Sequence, residues 1–193
     1  NLIDNATRPG SIDPLKLALV GEWPFAENGT RSKGPVDGVL HSGGYLIAVG
    51  SSTYVTPNST IAIVGSYTFA ASISLSSNST GTRPIFYGAT AGNSFGLKIQ
   101  SGLWQFNTGT SSVNYSYGTW SADRWDRVVC VFDGTTYSLY INAILVHTGT
   151  TGVTNTQISA IGGDGGITNA NMKFGKIEIY SDAWTADDVT YDY

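Results

Sequence analysis

Apolar and polar residues alternate with a period of two along most of the chain, the signature of half-buried β-strands. Phe69, Ala71, Ile73 and Leu75 fall on one face, with Thr68, Ala70, Ser72 and Ser74 on the other. Phe95, Leu97 and Ile99 alternate with Gly96, Lys98 and Gln100, and Trp104 shares a face with Phe106. Val113, Tyr115 and Tyr117 share another. Tyr137, Leu139 and Ile141 oppose Thr136, Ser138, Tyr140 and Asn142, and Ile177 and Ile179 alternate with Lys176, Glu178 and Tyr180. The stretch Arg127 to Phe132 is apolar on both parities, which predicts a central strand covered on both sides.

Turn residues punctuate these runs at intervals of about ten residues, the rhythm of a sandwich or barrel. They include Asn78-Ser79-Thr80-Gly81, Ala91-Gly92-Asn93, Ser101-Gly102 and the Gly162–Gly166 cluster. Asp133-Gly134 is the two-residue hairpin signal, with positive φ expected at both positions. No stretch sustains a helical period. The one short helix candidate is Thr185–Val189, with Thr185 as cap and Asp187 and Asp188 favouring the positive end of the helix dipole. Residues 1–14 are read as an N-terminal arm: the first dozen are polar, hold Pro9 and Gly10 and lack periodicity. Residues 15–193 are read as one all-β domain.

Composition narrows the class. Only 12% of the 193 residues are charged, and the net charge is −4. The ten basic residues are scattered, so no cluster exists to neutralise a phosphate backbone, and nucleic acid is not expected as a partner. No apolar run approaches the roughly 18 residues of a membrane span, so no membrane partner is expected either. Cys130 is the sole cysteine, which rules out an intramolecular disulfide; it alternates with Val128 and Phe132 and is expected to be a buried thiol. The chain opens on Asn1, which reads as a fragment or a processed product.

Three segments carry a family resemblance. Trp125–Gly134 followed by Tyr137–Asn142 is similar to the central hairpin of the laminin G-like, concanavalin A-like jelly-roll superfamily. Gly175–Val189 resembles its closing strand and short helix, and Leu19–Phe25 its opening strand. The resemblance spans about Leu15 to Val189 and implies an antiparallel two-sheet β-sandwich, with the opening strand beside the closing one. It also implies core positions for Trp23 and Trp125. Two positions depart from the family pattern: Ala143 stands where Gly is usual after Asn142, and Gly175 where an Asp is usual, which weakens the case for calcium there.

Chemistry is sparse. Glucanases of this superfamily carry two Glu on one strand face, and retaining hydrolysis needs carboxyls roughly 5 Å apart. Here only Glu22, Glu27 and Glu178 are present, none paired at strand spacing. Lyases on the fold use His, Tyr and Arg; His41 and His147 read instead as a loop histidine and a strand-end histidine. The expectation is therefore a chain that is not an enzyme. Sugar recognition needs aromatic faces with polar neighbours, and the candidates are Trp104, Tyr115, Tyr117, Trp120 and Tyr87, with Asn107. Core packing is the competing reading for Trp104, Tyr115 and Tyr117. Asp164, with Asn169 and Asn171 following, is the candidate calcium cluster, against a plain turn-stabilising role for Asp164. The expected function is glycan recognition or adhesion at an extracellular or virion surface. The alternative is a structural virion protein, such as a phage capsid decoration, whose arm docks on a capsid protein or on a neighbouring subunit in a homo-oligomer.

Overall fold

The computed structural model describes residues 19–23, 40–41, 45–48, 61–75, 82–90, 93–100, 103–108, 112–115, 124–150, 155–158, 160–161 and 172–193. The proposed arm, residues 1–14, lies outside them. The described strands are β1 (Leu19–Trp23), β2 (Leu40–His41), β3 (Tyr45–Ala48), β4 (Ile61–Val64), β5 (Tyr67–Leu75), β6 (Thr82–Thr90), β7 (Asn93–Gln100) and β8 (Leu103–Thr108). They continue with β9 (Ser112–Tyr115), β10 (Trp125–Phe132), β11 (Thr136–Ile141), β12 (Ile144–Thr150), β13 (Asn155–Ile158), β14 (Ala160–Ile161) and β15 (Met172–Tyr180), and the chain closes with helix α1 (Ala186–Asp192).

The strands form two main antiparallel sheets. One has eight strands in the order β12-β11-β10-β5-β15-β3-β2, with β1 also paired to β15; the other has five, in the order β14-β6-β7-β8-β9. A short ribbon joins β13 to β4. The opening strand lies beside the closing one, with Trp23 opposite Ile177 and Glu22 opposite Glu178, as the family resemblance implies.

Period-2 alternation sends one side chain in two into the space between the sheets. Phe69, Ala71 and Ile73 of β5, Val128, Cys130 and Phe132 of β10, and Leu139 and Ile141 of β11 meet Phe86, Leu97, Ile99 and Trp104 of the second sheet. The rings of Phe69 and Phe86 touch across the gap, 4.3 Å between centroids. Burying a side chain of this size contributes about 1.5–3 kcal/mol. Cys130 is fully buried here, and burial pushes its thiol well above the usual range. Gly96 is required by close approach: a Cβ there would lie 2.3 Å from the Phe86 carbonyl oxygen.

The outer face of the eight-stranded sheet is covered as well. Ala70, Val129, Val131 and Tyr180 pack under Trp184 and Val189, so β10 is a central strand apolar on both sides for much of its length. Thr185 caps α1, its hydroxyl accepting from the Asp188 N–H while the Asp188 carboxylate accepts from the Thr185 N–H. The Thr68 hydroxyl accepts from the Trp184 N–H at 2.9 Å and donates to the Asp182 carbonyl at 2.8 Å, which pins the segment before the helix to β5. Among the described residues no helix is long and apolar enough to cross a membrane.

Two local expectations change. Phe132 pairs with Tyr137 and the Asp133 N–H donates to the Thr136 carbonyl, so the turn residues are Gly134 and Thr135 rather than Asp133 and Gly134. Only Gly134 has positive φ, at 101°. The Asp133 carboxylate instead accepts from the Thr135 and Thr136 N–H groups, which holds it below the ordinary Asp range. The second change is Trp125. It is not a core residue; at the first position of β10 it is 45% exposed and lies outside the cluster that packs under Trp184 and Val189.

Candidate functional site

Where α1 ends and β10 begins, the outer face of the large sheet opens into a cleft of about 310 Å³, lined by Ser72, Trp125, Asp126, Arg127, Asn142, Lys176, Asp192 and Tyr193. Its size is at the small end of ligand sites, which run from about 300 to 1,000 Å³.

Three backbone features shape it. The first is the β11–β12 turn, where Asn142 and Ala143 both have positive φ, at 52° and 63°. Asn142 is suited to this conformation and Ala143 is not. The Asn142 side chain continues the hairpin: its Oδ1 accepts from the Arg127 N–H at 2.8 Å and its Nδ2 donates to Asp126 Oδ1 at 2.8 Å. The second is a bulge in β15, where Gly175 and Lys176 together oppose Ser72, between the pairs Phe174–Ile73 and Ile177–Ala71. The extra residue switches parity. Met172 and Phe174 point inward before it and Ile177 and Ile179 after it, which leaves Lys176, Glu178 and Tyr180 on the outer face. The third is the absence of a side chain at Gly175, where a Cβ would stand 3.4 Å from the Trp125 ring and 3.3 Å from Ser72 Cβ. The indole thus lies low against the sheet, with much of its surface still in solvent.

An ion network forms the cleft wall. Arg127 donates through Nε and Nη2 to the two oxygens of Asp192, at 2.7 and 2.9 Å, and through Nη2 to Glu178 Oε2 at 2.7 Å. Glu178, 1% exposed, also takes Lys176 Nζ at 2.7 Å and the Tyr180 hydroxyl at 2.7 Å on Oε1. Burial pushes the Glu178 carboxyl up, but the Lys176 hydrogen bond, the Arg127 and Lys176 charges and the Tyr180 hydroxyl outweigh it, so the pKa lies below the ordinary Glu range. Glu178 therefore stays ionised at neutral pH. Asp126, its side chain fully buried, accepts from Arg124 Nη2 at 3.1 Å.

Among the described residues, those expected from the sequence are not in the lining of this cleft. Trp104 is fully buried in the intersheet core and has no face to offer a ligand. Tyr87, half-buried, pairs with Gly96, which pairs in turn with Asn107, so these two share one register row of the second sheet. Tyr115 pairs with Trp104 at the end of β9. Tyr117, Trp120 and the candidate calcium cluster of Asp164, Asn169 and Asn171 lie outside the described residues, and among the described residues no group of three or more acidic, His or Cys side chains is arranged to hold a metal. His147 meets the Tyr137 hydroxyl at 3.1 Å. Sequence reasoning missed the cleft because Trp125 and Arg127 lie in a motif read as packing. One signal was available: Phe174 and Ile177, apolar and three apart in a period-2 strand, mark a bulge.

Comparisons with known proteins agree on the fold. No curated protein matches the sequence. Among solved structures, a Trypanosoma rangeli sialidase in complex with sialic acid is similar over 90% of this chain and 32% of its own, at 18% identity and a TM-score of 0.68. The ligand-binding domain of botulinum neurotoxin serotype D in complex with N-acetylneuraminic acid is similar over 91% of this chain and 50% of its own, at 14% identity and a TM-score of 0.70. The binding domain of botulinum neurotoxin DC in complex with rat synaptotagmin II gives 92% and 51%, 13% identity and a TM-score of 0.61. The chain thus spans about a third to a half of these larger proteins. The sialidase comparison also corrects the expectation of a chain that is not an enzyme. This fold occurs within enzymes, and chemistry resides in sites grafted on a fold, so the fold and the scarcity of paired Glu residues do not exclude activity. The family model for the concanavalin A-like lectin/glucanases superfamily matches residues 49–190, and with the two-sheet sandwich described above, the chain belongs to that superfamily.

Proposed function

We propose that this domain recognises glycans at an extracellular surface, and that the Trp125 cleft is the contact site. The observation that carries the reading is an indole 45% exposed at the rim of a cleft whose other walls, Tyr193 apart, are polar. Exposing a large aromatic costs hydrophobic stabilisation. A pyranose ring returns it, since its C–H face stacks on the indole while its hydroxyls reach fixed donors and acceptors. Ser72, Asn142 and Lys176 supply such groups around the ring. Sialic acid stands in the complexes of two similar structures, which supports a sugar as the ligand class. A protein partner bound to a third is the second kind of contact known on the fold, but nothing in the cleft favours a peptide over a sugar.

The expected result on an immobilised glycan panel is binding by the native domain and its loss in Trp125→Ala, with the fold retained by circular dichroism. Retention of binding by the variant would move the site elsewhere on the sandwich. The virion alternative, with attachment through the arm, concerns residues outside the described ones.

A further inference from the structure

We infer that the Trp125 cleft selects neutral sugars over sugars bearing a carboxylate, and that Asp192 is the residue that sets this preference. The inference rests on the glycan-binding reading above and names its ligand class.

Among the described residues, the two cations that line the cleft are already paired: Arg127 with Asp192 and Glu178, and Lys176 with Glu178, each at 2.7 Å. The most specific cradle for a ligand carboxylate would be the Nε–Nη2 edge of Arg127, because a guanidinium edge matches two carboxylate oxygens at once. Asp192 already fills that edge, oxygen for oxygen. An acidic sugar must therefore displace Asp192 or lie beside it, and like charges brought together in a partly desolvated site cost several kcal/mol. A neutral sugar meets no such opposition. Its hydroxyls donate to the remaining lone pairs of Asp192, since an ionised carboxylate has about four acceptor sites, and accept from Lys176.

Asp192, rather than Glu178, is the adjustable member. Glu178 is buried within β15 and held by three partners. Asp192 is the last residue of α1, a carboxylate at the negative end of a helix whose last turn holds no basic residue. Arg127 supplies the compensating charge. Replacing Asp192 by Asn keeps the shape, removes one negative charge and leaves Arg127 with surplus positive charge facing the cleft.

The test uses a panel in which each neutral glycan is matched with its sialylated counterpart, read with the native protein, Asp192→Asn and Trp125→Ala. The native protein should bind neutral members at least about tenfold better than their acidic matches, and Asp192→Asn should narrow or reverse that ratio. If Asp192→Asn fails to fold, as circular dichroism would reveal, raising the salt concentration on the native protein is the second measurement: screening should narrow the same ratio. Trp125-dependent preference for the sialylated members overturns the inference and leaves the glycan reading standing. An unchanged ratio in folded Asp192→Asn, or a salt-independent one, overturns the role of Asp192. Binding of no glycan at all overturns the reading itself and the inference with it.

Discussion

On one face of β10, Val128, Cys130 and Phe132 meet the second sheet and are at most 2% exposed. On the other face, exposure grades along the strand. Val129 and Val131 lie under Trp184 and Val189, Arg127 sits among carboxylates, and Trp125 is 45% exposed. The inner face answers to one uniform neighbour, the opposite sheet. The outer face answers to α1, which covers part of the strand and stops. The cleft is what the helix leaves uncovered, and the charged cluster is the seam where a dry interface meets water.

Breaking the seam should cost most. Arg127→Met removes the cation shared by buried Glu178 and Asp192, and loss of one member of a buried pair costs about 3–5 kcal/mol; urea denaturation would measure it. A loss below about 1 kcal/mol, the range of surface pairs, would mean that water enters the network freely. On the inner face, Cys130→Ser puts a hydroxyl where Cys130 has an apolar setting. It should destabilise by about 1–3 kcal/mol and leave glycan binding intact, which separates the two faces in one experiment. At the turn beside the cleft, Ala143→Gly should stabilise by roughly 0.5–1 kcal/mol, since relief of a left-handed Ala exceeds the added freedom of Gly in the unfolded chain; a shift of the melting temperature upward is the sign to look for. Trp125→Ala should cost about 1 kcal/mol of stability, since the ring is only 45% exposed and lies against the sheet at Gly175, while abolishing binding. A large loss of stability there would show that the indole serves packing and not recognition.

Much of the fold was legible in the residues. The alternation at Phe69–Leu75 and Tyr137–Asn142 predicts the faces that the structure shows, at every position whose side chain is described. The two apolar parities of Arg127–Phe132 anticipated a covered central strand, and Thr185 the helix start. The hairpin turn was misplaced by one residue because Asp133 and Gly134 are both turn formers, and only the register, with Asp133 bonded to Thr136, distinguishes the two loops. The candidate site was less legible. Aromatic alternation identified Trp104 as readily as any surface residue, since period two states that a face is apolar but not which face water sees.

What this sequence determined by itself is local: which residues form strands, roughly where the chain turns, where the final helix is capped, and that a thiol and a strand centre belong in a core. These follow from periodicity, turn chemistry and side-chain hydrophobicity, all carried by neighbours along the chain. Only the tertiary structure decided that Arg127, Glu178 and Asp192 share one set of hydrogen bonds and that Trp125 keeps much of its surface in solvent. Arg127 and Asp192 are 65 positions apart in the chain, and burial is a property of what packs over a residue, which period-two alternation does not encode.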